Sequence, residues 1–456
     1  MALLRYAVRN GDAAIEDGRA GGVCVMTDSW EGFVRRGRAM PRVPPDDEDR
    51  ARFDLPTTLR PVKDERAVQR PVFDPALKQY SNAYRASDPR FTDPDVEQAW
   101  HTARLAAIEL VLSAISSSPW AASLVLRGSV LLRAWFGDAA REPGDLDFVV
   151  APASWRIEEE RTDAMLEGVA RAAERAAQHG DGAVRIDAAE AVSDDIWTYD
   201  RVPGRRLVLP WSCDGLPGGV VQLDFVFNEH LPVDPEPALL PSASGDPQAV
   251  LSAATAELSL AWKLMWLVSD MHPQGKDLYD AVLLAEHTSL RYELLRDVFL
   301  DAEPSDGCHP VGRREIAGLK AYVEWEHFIA EYPDVTESAA DFIDRLVAAL
   351  APTFQSVEAV GLGEDEYARH VWWLEPRIRE YRELLKRTSM RAVQEKMHAA
   401  RLPLLTAVVV TRELLGSDRH SVQDARSVVF DDPSWHRLVE SHRGGGGWLD
   451  GQLDRL

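Results

Sequence analysis

The stretch LVLRGSVLLRAWFGDAAREPGDLDFVV, residues 124–150, constrains this chain more than any other. It opens on a short apolar run that reads as a buried strand and turns at Gly128-Ser129. It continues as a helix stopped near Gly137 and returns as a second strand, DLDFVVAP. A strand that delivers Gly-Ser to a helix start aims unpaired backbone N–H groups and the positive end of the helix outward. Gly128 lets backbone approach closely and Ser129 adds a hydroxyl donor, a combination that suits a triphosphate. Residues i and i+2 of a strand share a face, so Asp145 and Asp147 stand side by side and repel unless a cation lies between them. Oxygen-rich pairs of this kind bind Mg²⁺.

A third carboxylate lies downstream. In VVQLDFVF, Val221, Leu223, Phe225 and Phe227 share one face, and Gln222 and Asp224 lie on the other. An isolated aspartate in so apolar a strand is costly to bury. Sharing the metals of Asp145 and Asp147 across the sheet would remove that cost. Three aspartates holding two Mg²⁺ would activate a hydroxyl and steady a departing pyrophosphate. Taken singly, Asp145 also fits a turn residue, Asp147 a surface strand residue and Asp224 an edge-strand residue. Their conjunction with Gly128-Ser129 at a strand-to-helix turn favours the joint site.

The 456 residues predict two to three domains, at about 100–200 residues each. Residues 1–94, rich in Pro, Asp and Arg, read as an extended arm that wraps a neighbouring domain or is partly mobile, with a short element around Val23 to Met26. Residues 95–246 alternate helices with strands, beginning with a long amphipathic helix from Asp95 and including RRLVLPWS and GGVVQLDFVF as strands. Residues 247–440 read as a mainly α-helical bundle that completes the active site, and 441–456 as a flexible tail. The fold class is therefore α+β, a mixed sheet with flanking helices followed by a helical bundle.

Composition narrows the partners. The formal charge of −23 disfavours a non-specific DNA-binding surface. The clusters Arg35, Arg36, Arg38 and Arg201, Arg205, Arg206 read as solvated surface charge. No apolar run reaches the ~18 residues of a membrane helix. The start MALLRYAVRNGDAAIEDG lacks a secretory pattern, and the scattered Cys24, Cys213 and Cys308 suit a reducing cytoplasm. The dispersed His residues carry no zinc spacing, and the Trp residues, Trp262 and Trp266 among them, read chiefly as packing.

Gly128-Ser129-Val130-Leu131-Leu132-Arg133, then Arg141-Glu142-Pro143-Gly144-Asp145-Leu146-Asp147-Phe148, then Glu257, Lys263 and Lys276-Asp277-Leu278-Tyr279-Asp280 form one ordered set. In this set the chain resembles the AbiEii/AbiGii-type nucleotidyltransferase toxins, with the DNA polymerase β-like minimal nucleotidyltransferase fold. The likeness covers about residues 98–290 and departs at Pro143, where that family usually carries Ser or Thr. It implies an NTP substrate, Mg²⁺ on Asp145 and Asp147, phosphate contact from Lys263 and a catalytic or positioning role for Asp277. Gly128, Ser129 and Arg133 complete the expected nucleotide site, and Asp224 joins the catalytic and metal set on strand logic. Taken alone, Asp280 reads as a helix-start carboxylate favoured by the dipole. The resemblance further implies transfer of a nucleoside monophosphate to an acceptor such as the tRNA 3′ end, and a cognate antitoxin. A protein or cationic small-molecule acceptor, or a catalytically silent nucleotide-binding module, are the alternatives.

Overall fold

Eight strands form one mixed sheet, in which Asp147 and Asp224 are register partners on adjacent parallel strands. The protein is described by a computed structural model over residues 29–36, 40–180, 182–198, 202–240, 249–270, 272–302, 310–358 and 365–443. The expected element around Val23 to Met26 and residues 444–456 of the expected tail lie outside these.

The arm comes first. Helices α1 (Trp30–Arg36) and α2 (Asp47–Phe53) precede four short strands, β1 (Ala67–Val68), β2 (Pro71–Phe73), β3 (Tyr84–Ala86) and β4 (Arg90–Phe91). β2 and β3 pair antiparallel, as do β1 and β4. Helix α3 (Pro94–Ser116) then starts where Asp93 caps it, its side chain accepting from the Asp95 amide, with Pro94 at the first position. The sheet is built from β5 (Leu124–Arg127), β6 (Leu146–Val150), β7 (Val184–Ile186), β8 (Val192–Thr198), β9 (Val202–Cys213), β10 (Gly219–Val226), β11 (Glu236–Leu240) and β12 (Ala249–Ala253). Its order is β11-β12-β5-β6-β10-β9-β7, with β8 also on β9. Helices α4 (Ser129–Phe136) and α5 (Glu160–His179) are its crossovers. One strand, β12, lies past residue 247, at the start of the segment read as mainly helical, and joins the sheet parallel to β5.

Period-two alternation gives the sheet two apolar faces. Leu124, Leu126, Leu146, Phe148, Val150, Leu223 and Phe225 pack with α3 and α5 in one core. The stacked rings of Phe148 and Phe225, 5.6 Å apart, are fully buried there and stabilise the fold by about 1.5–3 kcal/mol each. Val125 and Val149 face the opposite way, into a second core built by α6 (Ala256–Ser269), α7 (Gly275–His287), α8 (Tyr292–Asp301) and the later helices. These include α9 (Arg313–Gly318) and α10 (Trp325–Glu331), then helices Ala339–Ala349, Ala351–Glu358, Glu366–Trp373, Glu375–Leu385, Met390–Ala399, Leu404–Leu415, Val422–Asp431 and His436–Arg443. The last of these takes in the first three residues of the expected tail. Among the described residues no helix is long and apolar enough to cross a membrane.

The arm is stitched across the sheet. The buried Asp194 of β8 accepts from the Thr58 amide at 2.7 Å, the Thr58 hydroxyl at 2.6 Å and the Tyr80 hydroxyl at 2.8 Å. Three donors on one carboxylate fix residues 58–80 against the sheet.

Candidate active site

The register of β6 and β10 builds the site. The two strands are parallel, with Asp147 opposite Asp224 and Phe148 opposite Phe225. Because the phenylalanines enter the α3–α5 core, the two aspartates point to the other face, toward α6 and α7. Asp145 stands one step before β6, and its loop is held by the buried Arg104 of α3, which donates to the Gly144 carbonyl at 2.8 Å. One carboxylate oxygen from each of Asp145, Asp147 and Asp224 can be chosen so that all three lie within 4.8 Å of one another.

The strand-to-helix turn closes against this group. Gly128 caps α4 with φ +84°, in the left-handed region, and a Cβ there would lie 2.6 Å from Asp147 Oδ2. Glycine is therefore required both by the backbone and by the carboxylate. Gly128 lines the cavity that holds the three aspartates. Ser129 is buried behind it, and its Oγ has no hydrogen-bond partner among the described residues.

Burial and mutual repulsion separate the three carboxylates. Burial and the charge of Asp145 push Asp147 up to about 7. Burial also raises Asp145, but Lys276 and Arg141 outweigh it and leave that group below the ordinary carboxylate range. Asp224 lies above its ordinary value through burial, although Arg206 opposes the rise.

Arg206 corrects the reading of residues 201–206 as surface charge. Its guanidinium is buried and grips Asp224 through two hydrogen bonds of 2.8 Å. Its third arm donates to Asp74 of the N-terminal arm at 2.6 Å. The immediate counter-charge of Asp224 is thus an arginine on the neighbouring strand β9, where Asp224 and Arg206 are register partners. Arg205 is half-buried and reaches Asp163 and Asp195, while Arg201 and Arg38 lie outside the described residues.

A second charged layer sits on α6 and α7. Lys263, in the wholly buried stretch of α6, does not snorkel; it donates to Asp277 at 2.7 Å and lies 2.9 Å from Asp280. Burial pulls its ammonium down, but the two carboxylates more than offset this and raise it. Asp280 is not a solvated helix-start residue. It is fully buried and accepts from Arg141 through bonds of 3.0 and 2.9 Å. Burial works against its charge, yet Arg141 and Lys263 hold it down at about 2. Lys263, Asp277, Arg141 and Lys276 all line the same cavity as the aspartates.

Several residues of the ordered motif set do not line the cavity, Ser129, Arg133 and Glu257 among them. Arg133 is not in the cavity: its side chain turns to the C-terminal end of α4, donating to the Gly137 carbonyl and to Asp138. The periodicity of an eight-residue helix carries it around to the exposed side. Glu257 pairs with Arg291 and serves the start of α6. Sequence reasoning missed Asp74, Arg85 and Phe73, which bring the arm to the cavity wall. No local pattern marks them, because their role arises only from the docking of the arm.

The donor set fits a divalent cation. Mg²⁺ binds oxygen at about 2.0–2.1 Å, so opposed ligands stand about 4.2 Å apart, which three converging carboxylates can supply. Asp224 Oδ1, which accepts from Arg206 Nε, retains a lone pair for a cation, while Oδ2 accepts from both Arg206 and Gln222.

A mixed sheet bearing three convergent aspartates beside a Gly-Ser turn and a lysine-bearing helical layer defines a nucleotidyltransferase. The family model for the nucleotidyl transferase AbiEii toxin of type IV toxin–antitoxin systems matches residues 110–359, more than half of the chain, and the protein belongs to that family. Among solved structures it is similar to MenT4, a nucleotidyltransferase toxin from Mycobacterium tuberculosis, at 16% identity over 59% of this chain and 98% of that one, with a TM-score of 0.34. No curated protein matches the sequence.

Proposed function

We propose that this enzyme transfers a nucleoside monophosphate from an NTP to an acceptor hydroxyl with Mg²⁺ held by Asp145, Asp147 and Asp224, as the toxin of a toxin–antitoxin pair. The observation that carries this reading is the convergence of the three carboxylates within 4.8 Å in a cavity also lined by Gly128 and Lys276. When bound there, Mg²⁺ would neutralise phosphate charge and acidify the acceptor hydroxyl. Lys276 reaches the cavity from the first turn of α7 and is suited to draw the triphosphate in. Two of the three ammonium donors of Lys263 face Asp277 and Asp280, which leaves one for a phosphate oxygen. Asp277 then acts by holding Lys263. NTP and antitoxin are both cytoplasmic, and we infer that location for the enzyme.

The tRNA 3′ end is the acceptor the family resemblance suggests. A second reading is favoured by charge. The cleft that adjoins the cavity at Arg141, Phe328 and Glu331 carries Asp88, Glu97, Asp138, Glu142 and Asp334 against Arg70 and Arg90, an acidic excess. With a net charge of −23, this suits a protein hydroxyl or a cationic small molecule better than a polyanion.

The test is incubation with labelled NTPs and Mg²⁺ in the presence of total tRNA, total protein or cationic small molecules. Label on RNA supports the tRNA reading, whereas label on protein or small molecule alone rejects it. Should Asp145→Asn and Asp147→Asn leave both label transfer and cellular toxicity intact, the catalytic reading fails and a silent nucleotide-binding module replaces it.

A further inference from the structure

The arm hairpin β2–β3 precedes the segment matched by the family, which begins at residue 110, and yet it forms one wall of the catalytic cavity. Val72, Phe73, Pro75 and Ala76 make that wall apolar, in a cavity otherwise dominated by charge. We propose that this hairpin is the nucleobase subsite of the NTP site, with Phe73 as its stacking surface. The proposal rests on the NTP-dependent reading above and adds to it the residue that receives the base.

Three observations support it. First, the aromatic side chains lining the cavity differ in what they leave open. Trp266 is 5% exposed and Phe328 4%, both committed to packing, whereas Phe73 is 41% exposed. A large apolar ring left uncovered at a polar cleft suits a flat, apolar-faced ligand, and every nucleobase offers a π-face.

Second, the ring is braced. His272 meets it edge-on at 5.6 Å and Tyr84 at 6.4 Å, and His272 is itself within 2.9 Å of Glu324. Third, the platform is tied to the catalytic centre. The residue after Phe73 is Asp74, whose carboxylate accepts from Arg206 at 2.6 Å, while Arg206 grips Asp224. The Asp74 amide also donates to the Ala83 carbonyl across the hairpin at 2.9 Å. The position of Phe73 relative to the carboxylates is therefore set before substrate arrives, so little ordering cost falls on binding. Arg85, opposite Val72 on the hairpin, adds a cation to the same wall.

The experiment is calorimetric binding of each NTP and of inorganic tripolyphosphate, with Mg²⁺, to the full-length protein and its Phe73→Ala, Phe73→Leu and Phe73→Trp variants. The alanine and leucine variants are expected to bind the NTP about 5- to 150-fold more weakly. Tripolyphosphate binding is expected to stay unchanged, and Phe73→Trp to keep NTP affinity. Unchanged NTP affinity in Phe73→Ala, or an equal loss for tripolyphosphate, overturns the stacking role and leaves the nucleotidyltransferase reading standing. A wild-type protein that binds neither ligand refutes the nucleotide reading, and the subsite with it.

Discussion

Burial and the neighbouring charge of Asp145 alter the chemistry of Asp147 strongly. Its raised value of about 7 means that the folded, metal-free protein holds a proton there which the unfolded chain, near 3.8, releases. The stabilising effect of that proton is complete below the unfolded value and is lost as pH rises through about 7. The metal-free protein is thus expected to melt at lower temperature at pH 8 than at pH 5.5. Mg²⁺ should restore the difference, and Asp147→Asn should abolish it while eliminating nucleotide transfer. Thermal melting in chelator with and without added Mg²⁺ checks this, and a pH-independent melting temperature for the wild type would refute it. Asp280 represents the opposite regime: a buried carboxylate kept charged by two cations. Asp280→Ala leaves Arg141 and Lys263 with too little counter-charge, and the expected cost is about 3–5 kcal/mol, read from urea denaturation.

Among elements, the arm is the one whose docking matters beyond its own stability. Asp194 gathers three donors from it, and Asp74 carries the connection on to Arg206 and Asp224. Asp194→Ala removes the first anchor and leaves the catalytic sheet with its own core. Limited proteolysis is expected to cut within residues 54–93 sooner in this variant than in wild type, with nucleotide transfer reduced and the sheet-and-helix portion persisting as a stable fragment. Equal cleavage rates in the two proteins would mean that other contacts hold the arm. The strand-to-helix turn at Gly128 and the α6–α7 layer behave differently, since each is fixed by its own core rather than by a few polar anchors.

For the molecule as a whole, the charge of −23 and the acidic cleft beside the cavity make acceptor capture sensitive to salt. A polyanionic acceptor has to overcome repulsion at long range. Raising ionic strength from about 0.01 M to about 0.15 M shortens the Debye length from about 30 Å to about 8 Å and should then raise kcat/KM. A cationic acceptor should show the reverse. Steady-state transfer assays across that salt range, run on each acceptor that accepts label, separate the two. A flat profile would mean that the acceptor does not feel the cleft.

Much of the candidate site's layout is legible in the sequence, because it is written in short-range pattern. Gly128 at a strand-to-helix turn, Asp145 and Asp147 two apart at a strand start, and Asp224 opposite an apolar face each follow from period and local backbone geometry. The mixed sheet and helical C-terminal half follow in the same way. What pattern could not supply was partnership across long stretches of chain. Arg206 looks like surface charge in RVPGRRLVL and becomes the buried clamp of Asp224 only through strand register. Arg133 sits in the motif but turns away with the helix, and Asp280 looks like a helix-start residue until Arg141 arrives from 139 residues upstream. Strands β7, β8 and β11 carry no such short-range signal, although β8 is seven residues long, and each pairs along an edge that a neighbouring strand offers. Local composition determines which face of each element is apolar. Only the packed chain decides which charges meet, because a buried charge takes its counter-charge from whichever strand or helix the fold brings alongside.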